Sequence, residues 1–323
     1  MPDRLRIRPF VPADRPALDA LLGAVWGDQA GAAAYYRPAA SSDQAGAFCR
    51  TLVAEHADGA KATPVGLGTV EQRSNHPQPV YLTVAVHPQQ QGRGVGGALY
   101  ARLAALAVRL GTRPWQTATG ADQGRGLAFL ERRGFRQTVR TIFPRFTVAE
   151  VDLSGRTALA ADLERRGFRV AALPELAGQP GALDRLADLH HALYAAAHPH
   201  NPPGPALYAR RHAAFLGDDL LPEAMFVALR GGEWVGAASL RPGEQPSELE
   251  MALFGVLDSA AADRADLLHL LKLHEFAYAR AVGAEALLAE IDSVDPHGLA
   301  ALRRFPFRED QPAWLTFRRE AQA

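Results

Sequence analysis

The residues best placed to do chemistry are Gly92, Gly94, Gly96 and Gly97, within the stretch "VAVHPQQQGRGVGGAL", residues 84–99. An apolar strand runs into a proline, and the glycines then open a helix marked by Leu99, Leu103, Leu106 and Leu110. The first turn of a helix has unpaired N–H groups and the positive end of the macrodipole. Glycines there let an anion come up against the backbone, so the stretch reads as a phosphate or pyrophosphate site. Three motifs compete for it. The P-loop fails, because no Gly-Lys-Ser/Thr is present after the glycines. The dinucleotide motif is literally present as Gly92, Gly94 and Gly97, but Pro88 and three glutamines separate it from the strand. It also needs an acidic residue about 20 positions on, and "GTRPWQTAT" offers none. The third pattern, Gln/Arg-x-x-Gly-x-Gly/Ala, reads as Gln91-Gly92-Arg93-Gly94-Val95-Gly96.

Two other clusters carry polar chemistry. His190, His191, His198 and His200 lack a clear His-x-x-x-His pair, so they read as a proline-rich substrate or interdomain loop and no metal site is expected. Glu290 and Asp292 alternate near a strand end, either facing an amine or standing as surface charge.

The elements that must position these residues alternate strand and helix. "LRIRPFVPAD" reads as a strand leading to a helix with Leu18, Leu21, Leu22 and Val25 on one face. "TLVAEH", "VGLGTVEQ", "VYLTVAV" and "WQTAT" come next as strands, "GLAFLERRGF" as a short helix and "IFPRFTV" as a last strand. The second half repeats this order. A shift of 172 residues places Val84 on Val256, Leu99 on Leu271, Gly111 on Gly283, Leu130 on Leu302 and Phe135 on Phe307. At the front the shift is 163, from Ile7 to Val170, so the second copy holds extra chain, with "AHPHNPPGP" part of it. The expected organisation is two α/β domains of one kind, residues 1–150 and 151–323, with a helix from about Thr157 to Arg166 near the junction. In the second copy the four glycines become Arg264, Asp266, Leu268 and His269, so side chains fill the space that phosphates would take.

The chain has 323 residues, enough for two ordinary cores. Lys+Arg and Asp+Glu both number 35, which leaves no net field to draw nucleic acid or an acidic membrane. The single Cys49 excludes an intrachain disulfide and suits a reducing compartment. The charged start "MPDRLRIRPF" lacks an apolar signal core, and no run approaches a membrane span, so a cytoplasmic protein is expected.

The stretch "VAVHPQQQGRGVGGALYARL" resembles the acyl-CoA-binding signature of the GNAT N-acetyltransferase superfamily. "GLAFLERRGF" resembles the next helix in that family, and "RIRPFVPADRPALDALL" its usual opening. The resemblance covers residues 5–146 and, more weakly, 168–319, and the whole chain is similar to tandem-GNAT proteins, the architecture also found in mycothiol synthase. It implies two tandem GNAT-like α/β domains, each a mixed, splayed sheet flanked by helices. By position, it implies that the pantetheine arm pairs with the strand at Val84, Ala85 and Val86. It further implies that the amides of Gln91, Gly92, Arg93, Gly94, Val95, Gly96 and Gly97 hold the pyrophosphate, and that an N–H near Val86 polarises the thioester carbonyl. The family's tyrosine, the proton donor to the leaving thiolate, is replaced by Leu130, and its asparagine by Gln123. Glu71 is the candidate base; His87 and Tyr81 read as a solvated and a packed residue. The expectation is an acetyl-CoA-dependent N-acetyltransferase acting on a small-molecule or peptide amine, with a degenerate second domain that lends walls to the acceptor cleft. The alternative is a non-catalytic acyl-CoA-binding or interaction protein, with a nucleotide-dependent oxidoreductase a distant third.

Overall fold

Alternation along the strands and a leucine stripe every three to four residues along the helices build two units, seen in a computed structural model that describes residues 4–27, 29–37, 48–58, 61–217 and 219–320. One unit comprises Met1–Thr138 with Trp314–Ala323, and the other Val139–Ala313.

The first unit opens with β1 (Arg4–Pro9), α1 (Arg15–Trp26) and α2 (Ala30–Tyr35). It continues through β2 (Cys49–Asp58), β3 (Lys61–Arg73) and β4 (His76–Val86). Then come α3 (Val95–Val108), β5 (Trp115–Gly120) and α4 (Gly124–Glu131). Strands β1 to β4 form an antiparallel meander. Strand β5 joins β4 in parallel, and its other edge pairs over six residues, antiparallel, with the C-terminal strand Trp314–Arg319. Helix α1 buries Leu18, Leu21, Leu22 and Trp26. Its start is tied to the sheet by Arg8, which donates to both Asp14 oxygens at 2.8 Å and to Glu55 Oε2 at 2.8 Å. The Arg8 bonds hold the Asp14 carboxyl below the usual carboxylate range. Helix α3 buries Val95, Leu99, Leu103 and Ala107 against β3. The close approach depends on Gly66 and Gly68: a Cβ on Gly68 would stand 2.6 Å from Leu103 Cδ1, and one on Gly66 3.1 Å from Leu99 Cδ1.

The chain passes from one unit to the other within β6 (Arg136–Ile142). The second unit then contains β7 (Pro144–Thr147), α5 (Arg156–Arg165), β8 (Phe168–Ala172), α6 (Leu173–Leu176), α7 (Ala182–Ala197), α8 (Pro205–Ala209) and α9 (Arg211–Phe215). It continues with β9 (Met225–Arg230), β10 (Glu233–Pro242), β11 (Glu248–Val256) and α10 (Arg264–Ala281). It ends with β12 (Ala286–Leu288), β13 (Ile291–Asp292), α11 (Pro296–Leu302) and β14 (Arg308–Glu309), and the C-terminal strand of the chain is β15. Its main sheet runs β14-β7-β12-β11-β10-β9-β8. Helix α10 buries a Lys272 Nζ–Glu275 Oε2 pair at 2.8 Å, both side chains inaccessible, with the ammonium 3.3 Å from the centre of the Phe254 ring. Desolvation drives both groups toward their neutral forms, lowering Lys272 and raising Glu275.

The contact pattern differs from the expected division into 1–150 and 151–323. β7, which ends the first copy in sequence, hydrogen-bonds β12 inside the second unit, and β15, which ends the second copy, hydrogen-bonds β5 inside the first. The reason lies in the repeat: both strands are short, antiparallel to their neighbour and apolar on one side, so each matches the edge of either copy.

Candidate functional site

In the first unit, β3 takes the backbone bonds of every second β4 residue. His87 N–H donates to the Val65 carbonyl, which fixes the phase: Ala85, Thr83 and Tyr81 turn their polar groups to β3. Val86, Val84 and Leu82 turn theirs the other way, toward β5. Yet β4 pairs with β5 only at Val80–Trp115 and Tyr81–Gln116. Beyond Tyr81 the two strands part, and the amides of Val84 and Val86 face an open gap. Gln91 Nε2 closes one end by donating to the Val86 carbonyl at 3.1 Å. On β5, the Tyr36 hydroxyl donates to the Ala118 carbonyl at 2.6 Å. Burial pushes the Tyr36 phenol above its ordinary range.

The glycine run stands at the mouth of this gap. Gly92 (φ 81°) and Gly94 (φ 86°) occupy the left-handed region, and Gly94 caps α3, so the turn needs residues without a Cβ. A Cβ on Gly96 would lie 3.4 Å from the Phe129 ring. The cleft has a volume of about 560 Å³. Val84, Val86, Gln91, Gly92, Gly94, Gly96 and Gly97 line one side, and Arg125, Phe129, Arg132 and Arg133 of α4 and its end line the other. Arg133 lies flat on the Phe129 ring, 3.4 Å from its centre.

One of the expected residues turns its backbone away from the gap, and two keep their loop positions with side chains outside the cleft. Ala85 is buried among Leu18, Leu22 and Tyr36, with its backbone turned to β3, so it does not face the gap. Val95 packs beneath the loop with Leu99, and Arg93 is exposed outside the cleft lining. Leu130 is buried and His87 uses its Nδ1 to accept from the Gln89 amide. The cationic face of α4 was not read from the sequence; the spacing of Arg125, Phe129 and Arg132 is the signal for it.

Side chains alternate across β4, so Val84 and Val86 point to the α3 face and Tyr81 and Thr83 to the opposite one. On that opposite face, a second cavity of about 360 Å³ is lined by Tyr35, Arg37, Thr69, Glu71, Arg73, Tyr81 and Thr83. Glu71 sits there as an ion pair: Arg73 Nε (2.6 Å) and Nη2 (2.5 Å) both reach its Oε1. Arg73 in turn lies over Tyr81 (4.1 Å) and Tyr35 (5.1 Å), and burial pushes the Tyr35 phenol up to about 12. Tyr81 therefore packs, as expected, and also forms a wall of the cavity.

The second unit handles the corresponding loop differently. Arg264 Nε donates to the carbonyl of Val256, the last residue of β11, at 3.3 Å, and its Nη2 pairs with Asp258. Arg166 bridges Asp263 at 2.7 Å and Asp266 at 2.9 Å. Side chains thus satisfy one another where the first unit presents bare amides. Glu290 and Asp292 line a cleft of about 440 Å³ within this unit. Thr141 Oγ1 donates to Asp292 Oδ1 at 2.5 Å, and desolvation, then Asp292, raises the Glu290 carboxyl. His190 is buried in α7 with its imidazole lowered to about 4 by desolvation, and His198 stacks on Tyr194.

Residues 47–137 match the acetyltransferase (GNAT) domain family. No curated protein matches the chain. Among solved structures, a GCN5-related N-acetyltransferase from Sphaerobacter thermophilus is 17% identical, with a TM-score of 0.62, over 100% of this chain and 98% of its own. A tandem GNAT protein from the clavulanic acid biosynthesis pathway is 16% identical, with a TM-score of 0.59, over 99% of both chains. The part of the chain that carries the splayed strands and the glycine cradle thus matches the GNAT acetyltransferase domain, and the chain as a whole has the fold of the tandem GNAT structures.

Proposed function

We propose that the protein transfers an acetyl group from acetyl-CoA, held by the first unit, to an amine. The carrying observation is the gap beside β4, where the Val84 and Val86 amides face open space above a loop of left-handed glycines. The gap suits the amide-rich pantetheine arm, and the loop amides with Arg125, Arg132 and Arg133 suit the phosphates. The acceptor reaches the thioester from the face of the Glu71 cavity. Its nitrogen attacks the carbonyl carbon; the C–N bond forms, the C–S bond breaks, and CoA leaves as a thiolate that takes up a proton. The Val86 N–H is the donor for the carbonyl oxygen in the tetrahedral intermediate. Glu71 is the group nearest this path that can accept a proton from the amine. Its Oε1 is held by Arg73, which orients the carboxylate in the cavity. We place the protein in the cytoplasm, a reducing compartment that suits its free, buried Cys49. Among the described residues, no helix is long and apolar enough to cross a membrane.

Calorimetric titration of the full chain with acetyl-CoA tests this reading. One site per chain is expected, because the second unit's loop is closed by Arg264 and Asp258. Gly94→Asp should abolish binding by setting a Cβ and a carboxylate against the phosphate position. Gly97→Asp, at a helical position without positive φ, separates charge repulsion from backbone strain and should also weaken it. Undiminished binding in both variants overturns the assignment. The second reading, a binder without turnover, is favoured by Leu130 and predicts that no amine releases CoA thiol from the bound thioester.

A further inference from the structure

The cavity on the Tyr81–Thr83 face of β4 carries both signs of charge, and that selects among amines. Two arginines and one glutamate line it. Arg73 spends its charge on Glu71 Oε1, and Oε2 takes neither of those two bonds. Arg37 stands exposed at the rim, and no carboxylate among the described residues pairs with it. Thr83 is only 5% exposed, and its Oγ1 is buried with no hydrogen-bond partner. A buried hydroxyl left unpaired is costly, and an arriving ligand oxygen recovers that cost.

We infer that the acceptor is a zwitterion: an amine that also carries a carboxylate, of amino-acid size. This rests on the acyl-transfer reading above. A simple cationic amine would bring a second positive charge to a cavity that already holds one in excess. A zwitterion brings its own counter-charge. Its ammonium faces Glu71 Oε2, and its carboxylate takes the Arg37 guanidinium and the Thr83 hydroxyl. The volume of about 360 Å³ fits such a molecule and lies at the small end of ligand sites. In the reaction the ammonium gives up two protons to solvent, one by way of Glu71, and the leaving thiolate takes one proton from water, as the nitrogen forms the new C–N bond and the thioester C–S bond breaks. The carboxylate takes no part in bond making; it fixes which nitrogen is presented.

The test uses the full chain, acetyl-CoA and matched pairs of probes: L-phenylalanine with phenethylamine, L-tyrosine with tyramine, L-arginine with agmatine, L-lysine with cadaverine and glycine with methylamine. Thiol release gives kcat and KM, and calorimetry in the presence of CoA gives binding without turnover. At least one amino acid is expected to exceed its decarboxylated partner by about tenfold or more in kcat/KM or in affinity, the effect of one charge-assisted hydrogen bond. Arg37→Gln and Thr83→Val should each raise KM for that amino acid far more than they lower kcat, and so erase the preference for the carboxylate. Equal or better use of the decarboxylated amines overturns the inference while leaving acyl transfer standing. Binding of no amino acid at millimolar concentration also overturns it. Amino acids that bind through Arg37 without releasing thiol uphold the inference and overturn acyl transfer instead.

Discussion

Leu130 takes the position where the sequence resemblance implies a tyrosine, and its surroundings decide how such an exchange would affect the proposed chemistry. It is buried on α4, and the wall that α4 gives the cleft is arginine and phenylalanine. None of these donates a proton readily at neutral pH. The thiolate then takes its proton from water. Leu130→Tyr should raise kcat about tenfold or more while the affinity for acetyl-CoA stays the same; stopped-flow thiol release in the folded variant reads both. An unchanged rate means that thiolate protonation is not slow. At this scale the glycine loop was legible, because left-handed backbone at Gly92 and Gly94 leaves a mark in residue type. The pairing of Glu71 with Arg73 was half legible: the two stand two apart on one strand, but the aromatic walls come from Tyr35 and Tyr81 on other elements. Thr83 carried no signal at all, since a threonine in a strand is ordinary and only the packed structure strips it of a partner.

Between helix α3 and strand β3 the separation is set by Gly66 and Gly68, and this spacing holds the glycine loop in place. Gly68→Ala would drive a methyl to within 2.6 Å of Leu103 Cδ1 and 3.2 Å of the Thr83 carbonyl. Leu103 is fully buried and cannot swing clear. The expected cost is about 1–3 kcal/mol. Because α3 must lift at the end nearest β4, acetyl-CoA affinity should fall as well. Chemical denaturation and calorimetry on the same variant check the two effects; a loss of stability with full affinity would show that the loop is held independently of the helix. The strands and helices themselves were legible from their periods, including α5 near the junction with Gly167 beyond its end. Ala85 was misplaced because the sequence reveals that β4 is covered on both faces but not the phase of its hydrogen bonds. That phase is set by pairing with Val65 and Leu67, about 20 residues away in the chain.

Across the whole chain, the boundary between units was illegible because two similar strands can exchange places without changing any local pattern. The C-terminal strand β15 pairs with all of β5 and buries Leu315 and Phe317, while Trp314 meets Trp26 at 5.5 Å and Tyr35 at 5.6 Å. Phe317→Ala should therefore cost about 3–5 kcal/mol. The loss should appear in the first unit: hydrogen exchange should quicken at Trp115–Gly120 and not in β9 or β10. Faster exchange confined to the second unit would refute the strand's assignment. The same pairing sets an order in time. On the ribosome, residues 4–138 emerge first, but β5 has no antiparallel partner until residues 139–313 have also been made. At about 5–20 residues per second, that wait lasts roughly 10–35 s. Through it the nascent first unit holds an open strand edge, with Trp26 and Tyr35 lacking their cover from Trp314. A ribosome-stalled chain ending before Trp314 should accordingly bind chaperones and fail to retain acetyl-CoA. Emergence of Trp314–Arg319 would give β5 its partner, so that a chain truncated before Trp314 yields no working first unit.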